Sequence, residues 1–130
     1  MTVEHHIEKL TWTEVDARIA AGVDVVLLPI GTTEQHGHHM PLDTDCLIAN
    51  ALCERVAEAA RAEGLSVLIA PTVNFSLSWY HMQFPGTVRL TTDTFLKVFE
   101  EVCESLHHHG LTNVIAVNGH GGNEIGRAHV

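Results

Sequence analysis

The sequence predicts an α/β fold built on a mostly parallel sheet. Two observations carry this expectation. Stretches with helical spacing of apolar residues alternate with short continuous apolar runs, and the polar, histidine-bearing segments follow those runs rather than interrupting them. Such alternation implies parallel strands joined by helical crossovers. In open sheets of that type, ligands bind beyond the carboxyl ends of the strands.

The first helix is expected from near Thr13, with Glu14 in its first turn, Val15 and Ile19 on one face, and Gly22 as its stop. Val25 to Ile30 is a short apolar run bounded by Asp24 and Gly31, which reads as a strand buried on both faces. Gly31 to Asp45 is a polar loop dense in His, Thr and Asp. The second helix runs from Thr44 or Asp45 to Glu63 and ends at Gly64; its spacing assigns Leu47, Ile48, Ala51, Leu52, Val56 and Ala59 to the buried face. Val67 to Ala70 is the second strand, and Asn74 to Arg89 is a loop rich in aromatic and turn residues. The third helix starts near Thr92 with Asp93 in its first turn. Phe95, Leu96, Phe99, Val102, Cys103 and Leu106 form its apolar face, and Gly110 ends it. The third strand is Asn113 to Val117, followed by Asn118-Gly119-His120-Gly121-Gly122-Asn123 and a helix beginning near Asn123. No repeat, low-complexity tract or linker divides the 130 residues, so a single domain is expected.

Composition narrows the function. Hydrophobic residues make up 45 % of the chain, enough for a core, and charged residues only 18 %, so disorder is not expected. The formal net charge of -9, with no basic stripe, argues against a nucleic-acid partner and against binding to anionic lipid. No apolar run is long enough to span a membrane, and the N-terminal stretch from Met1 to Leu10 lacks the apolar core of a signal peptide. The three cysteines, Cys46, Cys53 and Cys103, are odd in number and form no CxxC. They read as buried small hydrophobes in a reducing, cytoplasmic setting. Histidine is the unusual count, at 11.

Several of those histidines fall where ligands bind. In an extended loop Glu34 and His36 point to the same side and can present an oxygen and a nitrogen to one point. Asp45, at the start of the following helix, is placed either to cap that helix or to turn its carboxylate toward the strand ends. His120 follows the third strand between glycines that let backbone approach a ligand closely. Two carboxylates and two imidazoles at one sheet edge match a Zn, Mn or Fe site, and a bridging carboxylate such as Asp45 makes a two-cation centre feasible. Phosphate binding by the glycine loop is the competing reading, but NGHGGN is neither GxGxxG nor GxxxxGK[ST] and has no lysine nearby. His107, His108 and His109 end a helix and read as a solvated terminus. His38 and His39 lie within the same polar loop but are not assigned as ligands, and His5, His6 and His129 read as surface residues.

The run Leu28-Pro29-Ile30-Gly31-Thr32-Thr33-Glu34-Gln35-His36-Gly37, with Pro41-Leu42-Asp43-Thr44-Asp45 after it, resembles the signature of the creatininase (creatinine amidohydrolase) family. Phe84-Pro85-Gly86-Thr87 resembles the family's second block, and Asn118 to Asn123 its third. The blocks occur in the family's order along nearly the whole chain. The resemblance implies a three-layer α/β/α fold and a centre of two divalent cations that hydrolyses a non-peptide C–N bond with a metal-activated water. Family substrates are creatinine, formamide-type intermediates of flavin and deazaflavin pathways, or a peptide in mycofactocin maturation. It also implies that Glu34, His36, Asp45 and His120 are metal ligands, and that Ser78 and His81 lie where substrate approaches. His81 is then a possible proton donor, although a further His in the family's C-terminal block is the better candidate. Trp79 and Tyr80 either line the substrate pocket or pack the loop. A small amide substrate and a homo-oligomer such as a hexamer follow from the same resemblance.

Two departures qualify it. Creatininase proper has Tyr-Glu where this chain has Gly121-Gly122, and that Glu is a ligand, which argues against creatinine as substrate. Family chains also continue into a block resembling HAGE followed by Thr-Ser, with a further His and Glu of the site. Residues 1–130 do not contain it, so the chain is expected to be one domain incomplete at its C-terminus, binding metal weakly by itself. The rival readings are a nonenzymatic α/β module for a small molecule or nucleotide, and an inactive truncated product.

Overall fold

A computed structural model describes residues 2–123 of the chain. The helix expected from near Asn123 and the expected surface position of His129 fall outside those residues. Helix α1 spans Trp12–Ala20. Its N-terminus is a capping box. The Glu14 N–H donates to Thr11 Oγ1 at 3.3 Å, and the Thr11 N–H donates to Glu14 Oε2 at 2.6 Å. Strand β1 (Val25–Ile30), helix α2 (Thr44–Ala62), strand β2 (Leu68–Ile69), helix α3 (Thr92–His108) and strand β3 (Asn113–Asn118) follow in the expected order.

The sheet runs β2-β1-β3, with both pairings parallel. Val26 lies opposite Leu68 on one side and Val114 on the other. β2 is shorter than the expected Val67 to Ala70, because Pro71 has no N–H to continue the ladder. β1 is therefore the central strand, and its carboxyl end is flanked by the loops that leave its neighbours. Alternate β1 residues serve opposite layers. Val26, Leu28 and Ile30 pack with Phe95 and Leu111 on the side of α1 and α3, whereas Leu27 packs with Cys53 and Ala57 of α2 on the other. The three-layer α/β/α arrangement follows. No helix among the described residues is long and apolar enough to cross a membrane.

Two expectations fail. The predicted apolar face of α2 points outward: Leu47, Ile48, Leu52 and Val56 are all exposed, Leu52 at 50 %. The buried face is small instead, made of Cys46, Ala49, Cys53 and Ala57. Close approach is the reason. The position a Cβ would take on Gly31 lies 2.6 Å from the backbone nitrogen of Cys46, so the helix start sits directly on the chain leaving β1. His5 and His6, expected at the surface, are buried. Ile69 donates its N–H to the His5 carbonyl at 2.8 Å, so this segment runs along β2. The two imidazoles pair with Glu58 at 3.0 Å and Glu54 at 2.9 Å on α2.

The cysteines behave as expected of small buried hydrophobes. Cys46 and Cys53 are buried, Cys103 is partly so, and all three are free thiols. Burial pushes the Cys46 and Cys53 thiols up to about 11, which keeps them protonated and unreactive at neutral pH.

The inverted α2 face has a measurable consequence. Ala57→Leu forces extra volume against the sheet and is expected to cost about 1–3 kcal/mol, while Leu52→Gln on the exposed face changes stability by no more than about 0.5 kcal/mol. Urea unfolding of both variants checks this; the opposite order would restore the face assigned from spacing.

Candidate metal centre

The site is assembled at the carboxyl end of the sheet from three loops. β1 leads into Glu34 and His36, β2 into the segment holding Ser78 and the single 3-10 turn Trp79–His81, and β3 into His120. Hydrogen bonds stitch the first two loops together. Ser76 Oγ donates to the Gly31 carbonyl at 2.7 Å, Thr33 Oγ1 to the Asn74 carbonyl at 3.0 Å, and the Val88 N–H to the Thr33 carbonyl at 2.9 Å. The third loop is tied in by Asn123, whose Oδ1 accepts the Leu77 N–H at 3.2 Å.

Asp45 stands between the loops. The helix cap position belongs to Asp43, which makes no side-chain capping bond, and Asp45 lies one residue inside the first turn of α2. The capping reading of Asp45 is therefore replaced by a carboxylate buried at the positive end of a helix dipole. Its two oxygens face different imidazoles. Oδ1 lies 2.9 Å from His36 Nε2, and Oδ2 lies 2.8 Å from His120 Nδ1. Glu34 Oε1 lies 3.2 Å from the same His120 nitrogen.

The other nitrogen of each ring fixes what those facing atoms are. His36 Nδ1 is 3.1 Å from the Glu34 carbonyl, and His120 Nε2 is hydrogen-bonded to the Leu77 carbonyl. A carbonyl only accepts, so these nitrogens carry the protons. In a neutral ring, His36 Nε2 and His120 Nδ1 then present lone pairs to carboxylate oxygens, and acceptors facing acceptors need a positive charge between them. The buried Asp45 Oδ2 has no hydrogen-bond partner among the described residues, despite the 2.8 Å approach of His120 Nδ1. Glu34, Asp45 and His120 each offer a ligand atom, and these atoms lie within 4.8 Å of one another. An orphaned carboxylate oxygen in a ring of oxygen and imidazole donors fits a divalent cation. His36 stands outside that trio, on the second oxygen of Asp45.

The remaining candidates divide. Ser78 is 0 % exposed and its hydroxyl donates to Glu34 Oε2, a contact that holds this carboxylate in place. His81 is nearby, with Nε2 3.8 Å from the same Glu34 oxygen. Trp79 is 70 % exposed and meets Tyr80 edge-on at 5.6 Å. The His107 to His109 run is exposed, as expected, and His38 and His39 are exposed as well.

Two bonds close the glycine loop on itself: Asn118 Nδ2 donates to the His120 carbonyl at 2.8 Å, and the Asn123 N–H donates to that carbonyl at 3.2 Å. Gly119 is required by contact, since a Cβ there would lie 2.5 Å from the Asp45 carbonyl. A Cβ on Gly122 would lie 2.2 Å from the Tyr80 hydroxyl and 2.5 Å from His120 Nε2. The phenol thus occupies the space that a side chain at 122 would need. Spacing gave no signal for this role of Tyr80, nor for Gln35, whose amide Nε2 lies 3.1 Å from His81 Nδ1.

Comparison with known proteins agrees with this architecture. Residues 8–128 match the Creatininase family, described as creatinine amidohydrolase. The chain is 35 % identical over 119 residues to the creatinine amidohydrolase of Pseudomonas putida, covering 88 % of this chain and 44 % of that protein. It is 38 % identical over 112 residues to the mycofactocin precursor peptide peptidase of Mycolicibacterium smegmatis, covering 85 % and 45 %. A manganese creatininase superposes with a TM-score of 0.83 at 34 % identity, covering 95 % of this chain and 48 % of that one. The chain thus spans about half the length of the relatives it matches.

If the orphaned Asp45 oxygen receives a cation, adding Zn²⁺ or Mn²⁺ to metal-free protein should raise its melting midpoint by about 5–10 °C at saturating metal. Asp45→Asn should abolish that rise. Differential scanning fluorimetry decides the matter, and an equal rise in the variant would place the cation elsewhere.

Proposed function

Because the chain belongs to the creatininase family, we propose that it contributes the cation-holding part of an amidohydrolase. Its substrate would be a small molecule with a non-peptide C–N bond: a linear or cyclic amide, a formamide or a creatinine-like ring. The observation that carries this reading is the buried Asp45 carboxylate, with an imidazole lone pair facing each of its oxygens. Glu34, Asp45 and His120 would hold one divalent cation, Zn, Mn or Fe, and Asp45 and His36 would contribute to a second. When bound, such cations polarise a carbonyl and lower the pKa of a coordinated water to about 7, giving a nucleophile at neutral pH.

The chain's own residues do the rest. Ser78 fixes Glu34 by donating to its Oε2, which leaves Oε1 turned toward His120 and Asp45. His81, whose Nε2 lies 3.8 Å from the same carboxylate, would pass a proton to the leaving nitrogen. Trp79, exposed in the same turn as His81, would offer an apolar surface to the substrate. The ligand carboxylates are buried, so the field they set up acts with little screening from water. Gly122 offers no carboxylate where creatininase proper has a ligand Glu, which favours a substrate other than creatinine.

A second reading, in which the bond is a peptide bond, is favoured by the likeness to the Mycolicibacterium smegmatis peptidase. A panel of cyclic amides, formamides and short peptides separates the two.

Activity should vanish with a chelator and return with Zn²⁺, Mn²⁺ or Fe²⁺. His36→Ala and His120→Ala should each lower metal content by elemental analysis. His81→Ala should keep its metal and lose about 10²–10⁴-fold in kcat. Unchanged metal in both histidine variants would remove these residues from the ligand set.

A further inference from the structure

Gln35 lies between two of the candidate ligands in sequence, yet its side chain makes two contacts whose directions can be assigned without ambiguity. Its amide Oε1 is 2.9 Å from the backbone nitrogen of Gly37, and its Nε2 is 3.1 Å from His81 Nδ1. A backbone N–H only donates, so the atom facing Gly37 must be the amide oxygen, and the NH₂ therefore faces His81. An amide NH₂ donates and cannot accept. His81 Nδ1 must then be the acceptor, and the neutral ring carries its proton on Nε2. That nitrogen faces Glu34 Oε2 at 3.8 Å, on the side of the candidate metal centre.

We propose that Gln35 is a positioning residue that sets the tautomer of His81, holding its proton on Nε2, directed at the carboxylate cluster. The proposal rests on the proton-transfer role given to His81 above, and it adds the group that makes the role directional. Without the Gln35 amide, nothing described at Nδ1 distinguishes the two tautomers, and in the wrong one a lone pair faces Glu34. The amide is itself held at both ends of the residue, since the Gln35 N–H donates to Thr87 Oγ1 at 3.3 Å and Gly37 anchors the side-chain oxygen. The ring is packed edge-on against Tyr80, with centroids 4.5 Å apart, which limits its rotation away from the amide.

The test is ring ¹⁵N spectroscopy of the full chain loaded with Zn²⁺, with the His81 signals assigned by their loss in His81→Asn. In the wild type, Nδ1 should appear as an unprotonated nitrogen and Nε2 as a protonated one. Gln35→Glu keeps the shape but offers only acceptors, so the two signals should exchange character. Gln35→Met, which removes the donor without reversing it, should give a mixture, and it serves as the informative variant if the glutamate form fails to fold. A wild-type ring protonated on Nδ1, or an unchanged tautomer in both variants, overturns the proposal. Zinc content and turnover on the amide panel, measured on the same samples, report separately on the metal centre and the hydrolase reading. A tautomer that exchanges while wild-type turnover is absent supports the role of Gln35 and counts against that reading alone.

Discussion

A carboxylate buried without a positive partner is the constraint around which the rest of the structure is arranged. Asp45 is inside the first turn of α2, with little exposure and an imidazole nitrogen within 3 Å of each oxygen. Removing such a charge from water costs several kcal/mol unless something compensates it. The helix dipole supplies part of that compensation. The imidazoles do not supply the rest while neutral, because their protons are committed to the carbonyls of Glu34 and Leu77. A divalent cation beside Asp45 would complete the balance, and the donors present are the kinds that bind one.

The scaffold is shaped to hold this arrangement in place. β1 is central, so the loops that follow all three strands converge on its carboxyl end. Small residues let the layers close up: Cys46, Ala49, Cys53 and Ala57 line the buried side of α2, and Gly119 admits the Asp45 carbonyl where a Cβ would collide with it. Outside the immediate cluster, Ser78 bonds Glu34, the Leu77 carbonyl orients His120, and Asn123 holds Leu77. Such outer partners fix the orientation and protonation of ligands.

Much of this was legible in the chain. The apolar runs at Val25 to Ile30 and Asn113 to Val117 marked strands within a residue of their bounds; the first is a central strand covered on both faces, which has few ways to be written, whereas the second is an edge strand left largely exposed among the described residues. Glu34, His36, Asp45 and His120 could be grouped because parallel topology sends the loops carrying them to one edge. The buried face of α2 could not be read. Hydrophobic spacing selects the greasiest stripe, but the closeness of helix and sheet demanded the smallest one, and closeness is a tertiary property. The burial of His5 and His6 depended on glutamates some fifty residues away, |i−j| being 53 and 48. Gln35 and Tyr80 were invisible for a similar reason: their roles come from a loop folding back onto the site, not from spacing within it.

The most direct test of the account is anomalous diffraction at the zinc edge from crystals grown with Zn²⁺. The account predicts one peak about 2.0–2.2 Å from Asp45 Oδ2 and His120 Nδ1. It predicts a second peak on the side of Asp45 Oδ1 and His36 Nε2, about 3.5–4 Å from the first. Zinc bound only at the exposed His38 and His39 or at the His107 to His109 run, with no peak beside Asp45, would contradict it.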